Sequence, residues 1–259
     1  MDLGLTGRKA IVCASSQGLG LACAQSLARE GVHVVLNGRH AGKLRDAAVE
    51  LSRQTGQPVV PVCADINTAA GRQLLIDACP EPDILVNNNV GPPPGSLEDW
   101  TPQVWAAAVE ANMMAPIFMI QAVLPGMRKR RFGRIVSITS AMVKSPRPHM
   151  ALSTTARTGL TAFAKAVSLE AARDNVTLNQ LLPERIDSPR QEFMVAKLMS
   201  SSGLSRDEAR ARVADSVAAK RFGTLREFGD ACAFLCSEQA SFISGQNLQV
   251  DGGSSPGLL

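Results

Sequence analysis

The first residues whose types and spacing suggest chemistry lie near the N-terminus. Ala14-Ser15-Ser16-Gln17-Gly18-Leu19-Gly20 follows a short β-branched run and precedes a segment of helical period. Gly18 and Gly20 lack the Cβ atoms that would hold a backbone away from a pyrophosphate. The helix start behind them supplies free N–H groups and partial positive charge. A glycine pair can also be only a tight turn, but a strand before it and a helix after it favour a dinucleotide loop. The second strand ends Asn37-Gly38-Arg39-His40. An acid at that point would take the ribose 2′-hydroxyl of NAD. None is present, and Arg39 can instead pair a 2′-phosphate. This favours NADP(H) over NAD(H), with a merely solvated Arg39 as the plain alternative.

Other chemistries find less support. Six Cys show no CxxC spacing, and three His (33, 40 and 149) form no cluster, so no metal site is expected. The thiols read as buried, reduced and structural. The chain has no Tyr at all, which removes the commonest phenolic acid from any catalytic scheme.

Elements able to position these residues can be read along the 259-residue chain, which is 45% hydrophobic and 19% charged and so can bury a core. Short apolar runs at 9–14, 33–37, 59–63, 84–87, 134–139, 177–182 and 247–250 read as strands. Helical periods at 19–30, 42–54, 69–78, 104–127, 151–173 and 225–237 alternate with them. The pattern predicts an α/β fold: one Rossmann-type, doubly wound parallel sheet of about seven strands, flanked by helices, over residues 1–259. Two segments interrupt it. Pro92-Pro93-Pro94-Gly95 must be a stiff loop, and 186–220 holds two short helical patterns, 191–199 and 205–216. Both fall beyond the carboxyl ends of strands, where open α/β sheets bind ligands, so 186–220 reads as a small helical substrate lid. Phe193, Met194, Leu198 and Met199 would either line the pocket or pack on the lid's own scaffold.

Taken together, these residues make the chain resemble the short-chain dehydrogenase/reductase family, of the kind that includes 3-oxoacyl-carrier-protein reductases. Ser15, Ser16, Gly18, Leu19 and Gly20 resemble the family's cofactor loop. Asp65-Ile66 resembles its adenine contact, Ile84-Leu85-Val86-Asn87-Asn88 its fourth strand, and Ile135-Val136-Ser137-Ile138-Thr139-Ser140 its fifth strand with the catalytic Ser at Ser140. Asn112 sits where the family keeps a helix-breaking, water-holding Asn. Asn179 and Pro183 resemble the sixth strand, Ile186 the residue that meets the nicotinamide carboxamide, and Val250-Asp251-Gly252-Gly253 the C-terminal signature. The resemblance implies cofactor contacts from Asn88, Pro183 and Ile186 as well as from the loop, and a homo-oligomer, most often a tetramer.

The pattern departs where the family has Tyr followed four residues later by Lys. Those places are held by Ser153 and Arg157, and the helix continues in register beyond them. Ala14 replaces the loop's first Gly, Asn89-Val90 an Ala-Gly pair, and Glu184 the Gly after Pro183. A serine hydroxyl is a far weaker acid than a phenol, and a guanidinium keeps its proton at any working pH. Arg157 can still hold ribose hydroxyls and stabilise a developing alkoxide, to which Ser140 can donate. A water or His149 would then supply the proton, unless His149 is only an exposed loop residue. The expectation is an NADP(H)-dependent oxidoreductase with an altered active site, Ser140, Ser153, Arg157 and Asn112, acting on a small-molecule or acyl-chain carbonyl or alcohol, in the manner of a 3-oxoacyl substrate. The rival expectation is a catalytically degenerate dinucleotide-binding protein with a regulatory or assembly role. A formal charge of +4 without a nucleic-acid motif argues against nucleic acid. The absence of a basic, apolar leader and of eighteen consecutive apolar residues predicts a cytoplasmic protein that does not enter membranes.

Overall fold

The computed structural model describes residues 2–258. Seven strands form one wholly parallel sheet: β1 (Lys9–Val12), β2 (His33–Gly38), β3 (Val59–Cys63), β4 (Ile84–Asn87), β5 (Gly133–Ile138), β6 (Val176–Pro183) and β7 (Asn247–Val250). Their spatial order is β3-β2-β1-β4-β5-β6-β7, so the winding reverses between β1 and β4. The side chains of β1 and of Cys13, which follows it, alternate as the pleat requires. Ala10 and Val12 enter a core layer with Leu27, Leu44 and Phe228, while Ile11 and Cys13 enter the opposite layer with Met119, Ile135 and Leu160. Both faces are therefore covered, by α1 (Gly18–Arg29), α2 (Ala41–Thr55) and α9 (Leu225–Cys236) on one side. On the other lie α3 (Ala69–Ala78), α5 (Ala115–Arg130) and α6 (Ala151–Ala171). Burial is weakest at β3, an edge strand that contains Pro61 and leaves three of its five residues exposed.

The helix expected over 104–127 is two helices. α4 (Pro102–Val109) and α5 are joined by a π-turn, Glu110–Met114. A π-turn inserts a residue and frees backbone carbonyls that must find donors elsewhere. Two side chains supply them: Asn112 Nδ2 donates to the Ala108 carbonyl (3.4 Å), and Asn89 Nδ2 donates to that of Ala111 (3.0 Å). By length and composition the run Pro102–Arg130 is apolar enough to cross a membrane, yet Met119, Ile120, Val123 and Met127 belong to the core.

The first strand is also shorter than expected, because Ala14 already turns, with φ +44°. The segment 186–220 comprises α7 (Pro189–Ser202) and α8 (Arg206–Asp215). It has its own small core of Val195, Ala209 and Val213, against which Leu198 and Met199 pack. Phe193 and Met194 face the pocket instead, so the two alternatives for these four residues divide between them. All six cysteines are free, and Cys63 is exposed rather than buried.

Candidate functional site

The site begins at the reversal of winding. Asn88, just past β4, donates from Nδ2 to the Ala14 carbonyl (3.0 Å) and so ties the carboxyl ends of β1 and β4 together. Asn37 secures the neighbouring side. Its buried side chain accepts from the Ala14 N–H (3.1 Å) and donates to the carbonyls of Val62 (3.3 Å) and Ala64 (2.9 Å). The ends of four strands, β1 to β4, are thereby fixed around the loop that opens α1.

That loop has the shape a pyrophosphate needs. A Cβ at Gly20 would stand 2.5 Å from the Ala14 carbonyl oxygen, so only glycine allows the turn to pass so close. Gln17 precedes α1 without making a side-chain cap, which leaves the first N–H groups of the helix for an anion. Ser15 is buried and braces the loop, donating to the Val12 carbonyl (2.6 Å), and Ser16 lies against Gly38 at the end of β2. Arg39, next along, is exposed and makes no ion pair among the described residues. Asp65 and Ile66 follow β3, with Asp65 accepting from the Asn67 N–H (3.0 Å) and Ile66 buried. The residues present thus fit a dinucleotide.

Beyond the loop, a cavity of about 490 Å³ is lined by Gln17, Gly18, Leu19, Asn88, Ser140, Ser153, Arg157, Pro183 and Ile186, among others. Of the four residues expected to be catalytic, three share this wall. Ser140 starts the short turn after β5, where its Oγ accepts from the Met142 N–H (3.2 Å) and keeps its own proton to give. Arg157 and Ser153 lie one turn apart on the same face of α6. Arg157 donates from Nε to Ser153 Oγ (3.2 Å) and from Nη1 to the Ile138 carbonyl (2.8 Å), so the guanidinium is fixed to both α6 and β5. The fourth, Asn112, stands behind this wall. It donates to the Val90 carbonyl (3.3 Å), and its buried Oδ1 has no partner among the described residues. His149 is exposed at the rim of the cavity.

Burial, with the Arg190 charge adding to it, lowers the Arg157 guanidinium to about 10. It therefore stays cationic throughout the neutral range. Burial pushes the Cys13 thiol up to about 12, so this cysteine beneath the loop is no thiolate nucleophile.

Several pocket residues, Arg147, Arg185 and Arg190, had no signal in the sequence, and Glu184 stood out only as a residue in place of the Gly expected after Pro183. Glu184 is buried and ion-paired to Arg147 (3.4 Å) and Arg185 (3.1 Å), and Arg190 donates to the Pro92 carbonyl (3.1 Å). Only their places beyond the ends of β5 and β6 could have marked them.

The fold and loop define a doubly wound domain built to hold a dinucleotide, with a cavity lined by both apolar side chains and arginines beyond the carboxyl ends of the strands. The profile of one protein family, described as Enoyl-(Acyl carrier protein) reductase, matches residues 13–255. The NADPH-dependent reductase BacG of Bacillus subtilis is 30% identical over 96% of this chain and 98% of its own. Dehydrogenase/reductase SDR family member 4 of Bos taurus is 34% identical over 96% of this chain and 88% of its own. Among solved structures, L-sorbose reductase from Gluconobacter frateurii, complexed with NADPH and L-sorbose, superposes with a TM-score of 0.95 at 30% identity over the whole of both chains. The chain belongs to the short-chain dehydrogenase/reductase family.

Proposed function

We propose that the protein is an NADP(H)-dependent reductase of carbonyl substrates, 3-oxoacyl-like compounds included, whose active site uses Ser153 and Arg157 in the places of Tyr and Lys. The observation that carries this reading is the junction at Arg157, where one guanidinium bonds Ser153 and the end of β5 beside Ser140. Bound at the loop of Gly18 and Gly20, the cofactor would supply the hydride. Arg39 would meet its 2′-phosphate, and Asp65, Ile66, Asn88, Pro183 and Ile186 would line its path.

Ser140 donates a hydrogen bond to the carbonyl oxygen, and Arg157 places fixed positive charge beside the same atom as charge develops there. Ser153 holds the guanidinium in place through its acceptor oxygen and has its own proton available to order a water. That water relays a proton from bulk solvent to the oxygen as the hydride arrives, so the proton comes from solvent rather than from Ser153 or Arg157. Asn112 holds the turn against which Arg157 lies. The segment 186–220 closes the cavity as a lid.

The test is consumption of NADPH across activated ketones and acetoacetyl thioesters. Ser140→Ala is expected to lower kcat by about 10² while NADPH affinity is kept, the usual consequence of losing one oxyanion donor. An inert wild type, or a Ser140→Ala variant as fast as wild type, overturns the reading in favour of a non-catalytic dinucleotide-binding protein.

A further inference from the structure

The cavity holds more positive charge than its own residues neutralise. Arg147, Arg157, Arg185 and Arg190 all line it, and Glu184 is the one carboxylate among the lining residues. Glu184 is already shared between Arg147 and Arg185. Arg157 and Arg190 have no carboxylate within 4.0 Å among the described residues. Among the described residues each is held only by neutral groups, Ile138 and Ser153 for the first, and the Pro92 carbonyl and the Phe193 ring (5.5 Å to its centre) for the second.

The two meet on one loop. A Cβ at Gly91 would stand 3.2 Å from Arg157 Nη2, and Arg190 holds the carbonyl of the next residue, Pro92. Nη2 of Arg157 has no acceptor among the described residues, although the other two nitrogens do. Like charges gathered at a cavity wall without a counter-ion repel one another, and an anion seated between them relieves that repulsion. A planar carboxylate suits the forked donors of two guanidiniums.

We propose that the substrate carries a carboxylate close to its reacting carbonyl, held by Arg190 while Arg157 serves the carbonyl oxygen. This rests on the reading of the cavity as a reductase site. The other source of such an anion is the cofactor's pyrophosphate, because Pro189, beside Arg190, lies 3.6 Å from where a Cβ at Gly18 would stand. The test must therefore separate the two.

The probes are 4-oxopentanoate and its methyl ester, titrated by calorimetry into the NADP⁺-loaded protein. The acid is expected to bind at least about ten-fold more tightly than the ester, the scale of one hydrogen bond to a charged group. Added salt should narrow that gap. Arg190→Gln should abolish it and Arg190→Lys should restore part of it, with NADP⁺ affinity kept within about two-fold of wild type in both. Equal affinity for acid and ester, or binding of neither, overturns the proposal. So does a fall in NADP⁺ affinity in Arg190→Gln, which would assign the guanidinium to the cofactor. A wild type that does not bind NADP⁺ counts against the reductase reading. The same acid–ester comparison on the unloaded protein then decides this inference alone.

Discussion

Ser153 is buried and Arg157 reaches over it to the end of β5, and in the proposed site the two form one unit that supplies a cation but no acid. Restoring the acid tests that division of labour. Ser153→Tyr with Arg157→Lys would place a phenol and an ammonium one helical turn apart, facing a cavity of about 490 Å³ with room for a ring. The nearby ammonium lowers the phenol from its ordinary value near ~10. With the fold checked by thermal melting, reduction should speed up by roughly ten-fold or more, the lower part of the general-acid range. The pH profile should change as well. Reduction needs the protonated phenol, so the variant's rate is present below the phenol's pKa and lost as pH rises through it. Wild type should lack that alkaline limb, since Arg157 remains protonated to about 10. A stable, NADPH-binding double variant with neither the gain nor the limb would show that proton donation is not what the site lacks.

At the scale of elements, the loop between β1 and α1 carries a local conflict. Ala14 sits at φ +44°, in the left-handed region that favours glycine, and is held there by bonds from Asn37 and Asn88. Ala14→Gly should relieve about 1 kcal/mol of strain, less the extra freedom glycine gives the unfolded chain. A higher urea midpoint with an unchanged m-value would show it, and a lower midpoint would mean that the Ala14 methyl packs usefully. The same loop shows what the sequence makes legible. Its glycines, the alternation of strand and helix and the place of each strand follow from local periodicity, which depends on neighbouring residues alone. The break at Glu110–Met114 does not follow from periodicity, because apolar period runs through it; only the resemblance marked Asn112 as helix-breaking, and the extra residue is tolerated through the side chains of Asn112 itself and of Asn89, which arrives from the loop after β4. The Glu184 pairs and Arg190 are illegible for a related reason. Their meaning depends on three loops meeting beyond β4, β5 and β6, and nothing in the spacing of 147, 157, 184 and 190 encodes that meeting.

At the scale of the whole molecule, apolar surface remains that the sheet cannot cover. Well under half of the most apolar window of Pro102–Arg130 is buried, and Val104 on α4 and Leu169 on α6 are exposed, Leu169 to 72%. A second set of exposed apolar residues lies at the β7 edge and on the opposite face, where Leu248 is exposed on the edge strand β7, Phe242 lies wholly open just before it, and Phe234 is exposed on α9. Two separate apolar areas on one chain suit two different self-complementary contacts, and two such contacts related by perpendicular two-fold axes close into a tetramer. Light scattering at micromolar concentration should therefore give a mass four times the 27.4 kDa of the chain. Placing a charge in each patch separates the contacts: Leu169→Glu and Phe242→Glu should each reduce the tetramer to a dimer, and the double variant to a monomer. Exposed positions tolerate such changes within about 0.5 kcal/mol in the isolated chain, so loss of assembly would not reflect loss of fold. A monomeric wild type would mean that both patches face solvent, and the assembly would have to be abandoned.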